Sequence, residues 1–127
     1  MFNHLSFGVS DLDRATRFYD SVLGALGYGR THSNAREAAY GPGRDMLFWL
    51  YPAESGKTVS ASRMHLAFDA PSRAAVEAFV AAAVAQGAAV VRPAGERPDI
   101  SADYFGAIVD DPDGHRIEVV VVPATMH

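Results

Sequence analysis

The chain has no cysteine. That rules out disulfides, thiolate metal sites and a cysteine nucleophile, and it fits a cytoplasmic protein. Positive charge is also scarce: 11 Lys and Arg stand against 15 Asp and Glu, a formal net charge of −4. A nucleic-acid surface or an anionic membrane partner is therefore not expected. Long apolar runs are missing. The longest, such as Ala78 to Ala85, fall far short of the roughly 20 residues that a membrane-spanning helix needs. Met1-Phe2-Asn3-His4 has no basic segment followed by an apolar run, so no secretory signal is expected. What remains is an ordinary globular composition, 49% hydrophobic and 20% charged, over 127 residues. That is near the size of one domain and enough for a core.

Hydrophobic periodicity gives the elements. Asn3 to Val9 alternate, with Leu5, Phe7 and Val9 on one face and His4, Ser6 and Gly8 on the other. Ser10-Asp11-Leu12-Asp13 reads as a capped helix start. The helix runs to about Leu26 on a stripe of Leu12, Ala15, Phe18, Val22 and Leu26, and Gly27 ends it. Three short strands follow: Tyr28 to Ser33, Glu37 to Tyr40, and Met46 to Tyr51. Residues 53–62 are polar and read as a linker. The order then restarts: a strand from Met64 to Asp69, a helix opened by Pro71-Ser72, and strands at Ala88 to Arg92, Tyr104 to Val109 and His115 to Val122. Pro93 to Asp103 reads as an irregular loop, long enough to suspect a role in function.

The restart is an internal repeat. A shift of 61 positions aligns His4 with His65, Leu5 with Leu66, Phe7 with Phe68 and Phe18 with Phe79, without a gap. A shift of 70 aligns Gly41-Pro42 with Asp111-Pro112, which places Phe48 or Trp49 opposite Glu118. The expected fold is α+β: two tandem β-α-β-β-β modules forming a curved mixed sheet around a cleft. One domain is expected over 1–127, with module one about 1–52, the linker about 53–62 and module two about 63–124.

Asp110-Asp111-Pro112-Asp113-Gly114 is a turn feeding the last strand, and turn formation explains its acids better than a calcium loop. In that strand Ile117, Val119 and Val121 share one face, and Glu118 points to the other. A carboxylate there is costly to bury without a partner. The two strand-opening histidines supply one. His4, His65 and Glu118 all leave the helix-packing faces, and two imidazoles with one carboxylate suit a catalytic divalent metal: Zn, Ni, Mn, Fe or Co. The alternative is a His–Glu hydrogen-bond network without an ion. His32, His115 and His127 read as solvated loop or terminal residues. Tyr104 shares a face with Gly106 and Ile108. If that face lines the cleft, its hydroxyl binds a substrate oxygen or acts as an acid; otherwise it is a core tyrosine. Phe48 and Trp49 read as walls of an apolar pocket or as core. Arg92 and Arg97 flank the Pro-rich loop and are placed to clamp an acidic substrate, although solvation is the default for both.

The repeat, His4-Leu-Ser-Phe-Gly-Val-Ser-Asp-Leu with Arg17-Phe18-Tyr19, His65-Leu-Ala-Phe, and Asp111-Pro-Asp-Gly-His-Arg-Ile-Glu118 together resemble the vicinal oxygen chelate superfamily. That group includes glyoxalase I, bleomycin and fosfomycin resistance proteins and extradiol dioxygenases. The resemblance puts His4, His65 and Glu118 on the family's metal-ligand positions. It implies a metal-dependent glyoxalase-like enzyme, a lyase or isomerase, acting on a small substrate with vicinal oxygens. Glu118 and Tyr104 are then the candidate catalytic groups, and Phe48, Trp49, Tyr104 and Arg97 the substrate contacts. It also implies a homodimer, with modules paired within a chain or across two. The runner-up is a non-catalytic small-molecule binding or antibiotic-resistance protein of the same fold. Glyoxalase I carries a fourth ligand where this chain has Phe48 and Trp49, neither of which can ligate. The His and Tyr of extradiol dioxygenases are replaced by the regions Ser101-Ala102-Asp103 and Ile108-Val109. No basic cluster marks a fosfomycin-type thiol transferase. Fold resemblance by itself does not choose a reaction.

Overall fold

The computed structural model describes residues 1–121. Val122, His127 and the end assigned to module two near residue 124 lie outside the described residues. The elements are β1 (Leu5–Val9), α1 (Leu12–Gly24), β2 (Gly29–Ser33), β3 (Ala38–Gly41), β4 (Phe48–Pro52), β5 (His65–Asp69), α2 (Arg73–Ala85), β6 (Ala89–Glu96), β7 (Phe105–Asp110) and β8 (Arg116–Val121). They form two four-stranded sheets, in orders β1-β4-β3-β2 and β5-β8-β7-β6. In each sheet the first and last strands of a β-α-β-β-β module pair in parallel and the other pairs are antiparallel. The repeat read in the sequence is thus a repeat of topology.

Both helices start at a side-chain cap. The Asp11 carboxylate accepts from the Arg14 amide, and the Ser72 hydroxyl accepts from the Ala75 amide. Gly27 and Gly87, at φ +89° and +83°, turn the chain out of the helices, a conformation that L side chains rarely adopt. The helices bury their stripes against one face of the sheets. One continuous core holds Phe7, Val9, Phe18, Tyr19, Val22 and Phe48 of the first module and Val76, Phe79, Val109, Ile117 and Val119 of the second. Hydrophobic burial of this shared core joins the modules within the chain.

The Asp-Pro-Asp-Gly turn adds polar connections. The Tyr19 hydroxyl donates to Asp111 Oδ2 at 2.6 Å. Asp111 Oδ1 also accepts from the Asp113 and His115 amides. The Ser10 hydroxyl donates to Asp113. His115 corrects the expectation of a solvated residue. It is buried, its ring stacks on Phe7 at 4.1 Å, and Nε2 donates to the Gly8 carbonyl at 2.9 Å. A long-range contact with β1 decides its fate, and nothing local announces that contact.

A second correction concerns Pro93 to Glu96. These residues belong to β6, not to a loop. Register shifts between Val90 and Arg92 and between Arg92 and Gly95 let the strand continue beside β7. Proline is tolerated because β6 is an edge strand.

Candidate functional site

The two sheets present equivalent rows on their helix-free faces. In the first, His32 pairs with Ala39, Ala39 with Trp49, and Trp49 with Ser6. In the second, Arg92 pairs with Ile108, Ile108 with Glu118, and Glu118 with Ala67. Both rows begin just after a register shift in the edge strand. The register therefore makes Trp49, not Phe48, the counterpart of Glu118. Phe48 points to the other face. It is 4% exposed and packs edge-on against Phe7 at 5.2 Å and Phe68 at 5.3 Å. Of the two places expected for Phe48, pocket wall or core, the side-chain alternation of β4 turns it towards the core.

In the second row, Glu118 has three neighbours. The Tyr104 hydroxyl donates to Oε1. An Arg92 Nη donates to the Tyr104 oxygen at 2.6 Å and lies 4.0 Å from Glu118 Oε1. His65 Nε2 lies 3.3 Å from Glu118 Oε2. Tyr104 sits just before β7 and is buried. Burial first, and then the adjacent Glu118 carboxylate, push its hydroxyl well above the usual phenol value. It is a hydrogen-bond donor at neutral pH. Gly106 makes room for it: a Cβ there would stand 2.7 Å from the Tyr104 hydroxyl and 2.7 Å from the Val119 carbonyl oxygen.

The remaining candidates sit apart. His4 precedes β1 and is exposed, and its Nδ1 donates to Asn3 Oδ1 at 2.7 Å, which leaves Nε2 free to ligate. His4 and His65 share the rim of one open apolar depression with Phe2, Leu47 and Met64. Among the described residues, however, no group of three or more His, Asp or Glu converges on one point. Arg97 pairs with Asp99 at the surface, Nε to Oδ1 at 2.7 Å, and makes no hydrogen bond to Glu118 or Tyr104 among the described residues. Trp49 is half-buried on the helix-free face of the first sheet, parallel to Tyr51 at 5.9 Å and 5.6 Å from His32. Its Nε1 donates to the Met46 carbonyl.

Arg92 is the residue sequence reading undervalued. Its position flanking the Pro-rich loop was the available signal. What escaped was the register shift that turns it towards Glu118. A depression beside His65 is lined by Arg63, Ile108, Gly114 and Arg116.

His65 Nε2 and Glu118 Oε2 are the nitrogen and oxygen donors that a borderline divalent ion takes, and both face the same side of the sheet. They fit such an ion as two ligands of a larger set.

A sheet pair built from two β-α-β-β-β modules, with one imidazole and one carboxylate on the helix-free face of the second, defines a class. The chain belongs to the Glyoxalase/Bleomycin resistance protein/Dioxygenase superfamily, whose family model matches residues 1–119. Among solved structures it is similar to a glyoxalase/bleomycin resistance protein from Albidiferax ferrireducens T118. The two are 31% identical, with 97% of this chain and 99% of that one covered and a TM-score of 0.84. It shares its fold with a glyoxalase-related enzyme from Fulvimarina pelagi, at 22% identity, 97% and 88% coverage and a TM-score of 0.75. The same holds for the fosfomycin resistance protein FosX from Mesorhizobium loti, at 21% identity, 99% and 95% coverage and a TM-score of 0.71. No curated protein matches the chain. No helix among the described residues is long and apolar enough to cross a membrane.

Proposed function

We propose that the protein is a metal-dependent glyoxalase-like enzyme, a lyase or isomerase, that acts on a small substrate with vicinal oxygens. The observation that carries this reading is the approach of His65 Nε2 to Glu118 Oε2, 3.3 Å, on a helix-free sheet face. His65 and Glu118 would hold the ion, and His4 of a second copy would complete the set in a homodimer. Exposed Phe2, Leu47 and Met64 around His4 and His65 support such an apolar contact between copies. When bound, the metal supplies Lewis-acid polarisation of the substrate oxygens. The chain's own residues orient and exclude. Tyr104, held protonated, fixes the Glu118 carboxylate and contributes no base. Glu118, once released from the ion, is the candidate proton acceptor. Trp49 offers an apolar wall on the first sheet.

The test is metal content of protein purified without a chelating tag, beside His65→Ala. About one equivalent of a transition metal, lost in the variant, is the expected result. No metal, and no uptake of Zn²⁺, Ni²⁺, Mn²⁺ or Fe²⁺, would sink this reading. A second reading, non-catalytic binding of a small molecule, is favoured by one observation: Glu118 already has Tyr104, Arg92 and His65 as partners and needs no ion for its burial.

A further inference from the structure

Resting on the metal reading above, we propose that Arg92 and Tyr104 are positioning residues. They hold Glu118 with one carboxylate oxygen occupied and the other free to take the ion.

The argument follows from donor chemistry. A guanidinium has only donors, so in the Arg92–Tyr104 contact the phenol oxygen accepts. Tyr104 has one hydrogen, and it goes to Glu118 Oε1. The chain Arg92→Tyr104→Glu118 therefore has a single direction. It leaves Oε2 as the oxygen that meets His65, and Glu118 becomes a ligand through that one oxygen.

Three features show that this arrangement is built. The register shift after Val90 aims Arg92 across the row. Bulges re-aim side chains in this way beside functional sites. The absence of a Cβ at Gly106 gives the Tyr104 ring its seat. Arg92 Nε is buried without a hydrogen-bond partner. A buried donor left unmade costs stability. An arginine kept only to neutralise Glu118 would turn its fork onto the carboxylate, whereas this one spends its short contact on the tyrosine. Partners that orient a ligand in this way typically change metal affinity by about 10–100-fold when removed.

The experiment titrates chelator-stripped protein with Mn²⁺ and counts free ion by electron paramagnetic resonance. Wild type is compared with Tyr104→Phe, Arg92→Gln, Arg92→Lys and the remote control Arg36→Ala, and thermal unfolding of each is recorded in parallel. Tyr104→Phe keeps the ring and should weaken Mn²⁺ by about 10–100-fold while the protein stays folded. Arg92→Gln should weaken it less, and Arg92→Lys should recover part of that loss. A structural role alone would lower the unfolding temperature and leave the affinity of the folded protein unchanged. Wild type that binds Mn²⁺, with Tyr104→Phe and Arg92→Gln within twofold of it, overturns the positioning role and leaves the metal reading standing. If Tyr104→Phe does not fold, the Arg92 pair decides. Wild type that takes up neither Mn²⁺ nor Zn²⁺ overturns both.

Discussion

The rows His32-Ala39-Trp49-Ser6 and Arg92-Ile108-Glu118-Ala67 occupy the same place in two sheets of the same topology. Each opens with a basic side chain delivered by a register shift. They differ in what that side chain faces. In the first row His32 lies against an indole and takes its carboxylate locally, with Nε2 3.0 Å from Glu37 Oε2. In the second, Arg92 lies against a carboxylate and shares it with a buried tyrosine and an exposed histidine. The backbone framework is common to both. The Arg92–Tyr104–Glu118 chain stands on one copy only, through a few side chains that differ between the two rows.

The sharpest break of the comparison is to copy the first row onto the second. Glu118→Trp leaves Arg92 and the Tyr104 hydroxyl without their acceptor. Arg92 and Glu118 are half-buried, and losing a hydrogen bond to a charged acceptor costs about 1.5–3 kcal/mol. Urea unfolding should show that loss, together with abolished metal uptake. Unchanged stability would mean that the second row holds no paired charge.

Gly106→Ala is the next largest. Its Cβ meets a backbone carbonyl as well as the tyrosine, and overpacking of that kind costs about 1–3 kcal/mol. Tyr104 should also leave Glu118, which a crystal structure of the variant would show directly.

The lock between the modules follows. Tyr19→Phe removes a buried donor from Asp111 and should cost about 1–2 kcal/mol in urea unfolding. Asp111 also makes this lock pH-dependent. Burial raises its carboxyl above the ordinary aspartate value, against the opposite pull of Tyr19 and His115. The folded state thus holds the proton more tightly than the unfolded chain. The stability from this group is complete below the ordinary value of about 4, and is lost as pH rises through the raised folded value. Unfolding measured across that window should slope downward in wild type and less so in Asp111→Asn. Equal slopes would remove Asp111 as the cause.

The smallest effect is expected from the reverse copy. Trp49→Glu places a carboxylate beside His32 on a half-exposed face, at a cost of about 1 kcal/mol. It should not create tight metal binding, because the first sheet has no counterpart of Tyr104 to orient it. Metal uptake at a second site in this variant would show that the row alone suffices.

Much of this molecule was legible in its residues. Alternation in Leu5 to Val9 and the stripes through Phe18 and Phe79 mark buried faces, since burial of apolar side chains at fixed spacing is a local signal. The repeat at His4 and His65 gave the topology, and Glu118 stood out as a charge in an apolar strand. The side-chain partners were less legible. His115 reads as solvent-facing until β1 is laid against it. Phe48 and Trp49 are indistinguishable until the register of β4 on β1 is fixed, and a slip of one residue exchanges core for surface. Arg92 looks solvated until a register shift turns it inward.

The sequence by itself determined the class of fold, because two modules of the same hydrophobic pattern have few ways to bury their faces. It also singled out His4, His65 and Glu118, the histidines because the repeat equates them and Glu118 because its charge is unusual for its strand. Only the tertiary structure decided that Tyr104 and Arg92 complete the pair of His65 and Glu118 and that His4 stands outside it within one chain. Those are contacts between strands far apart in sequence. Strand pairing and register fix them, and neither is written in the residues one at a time.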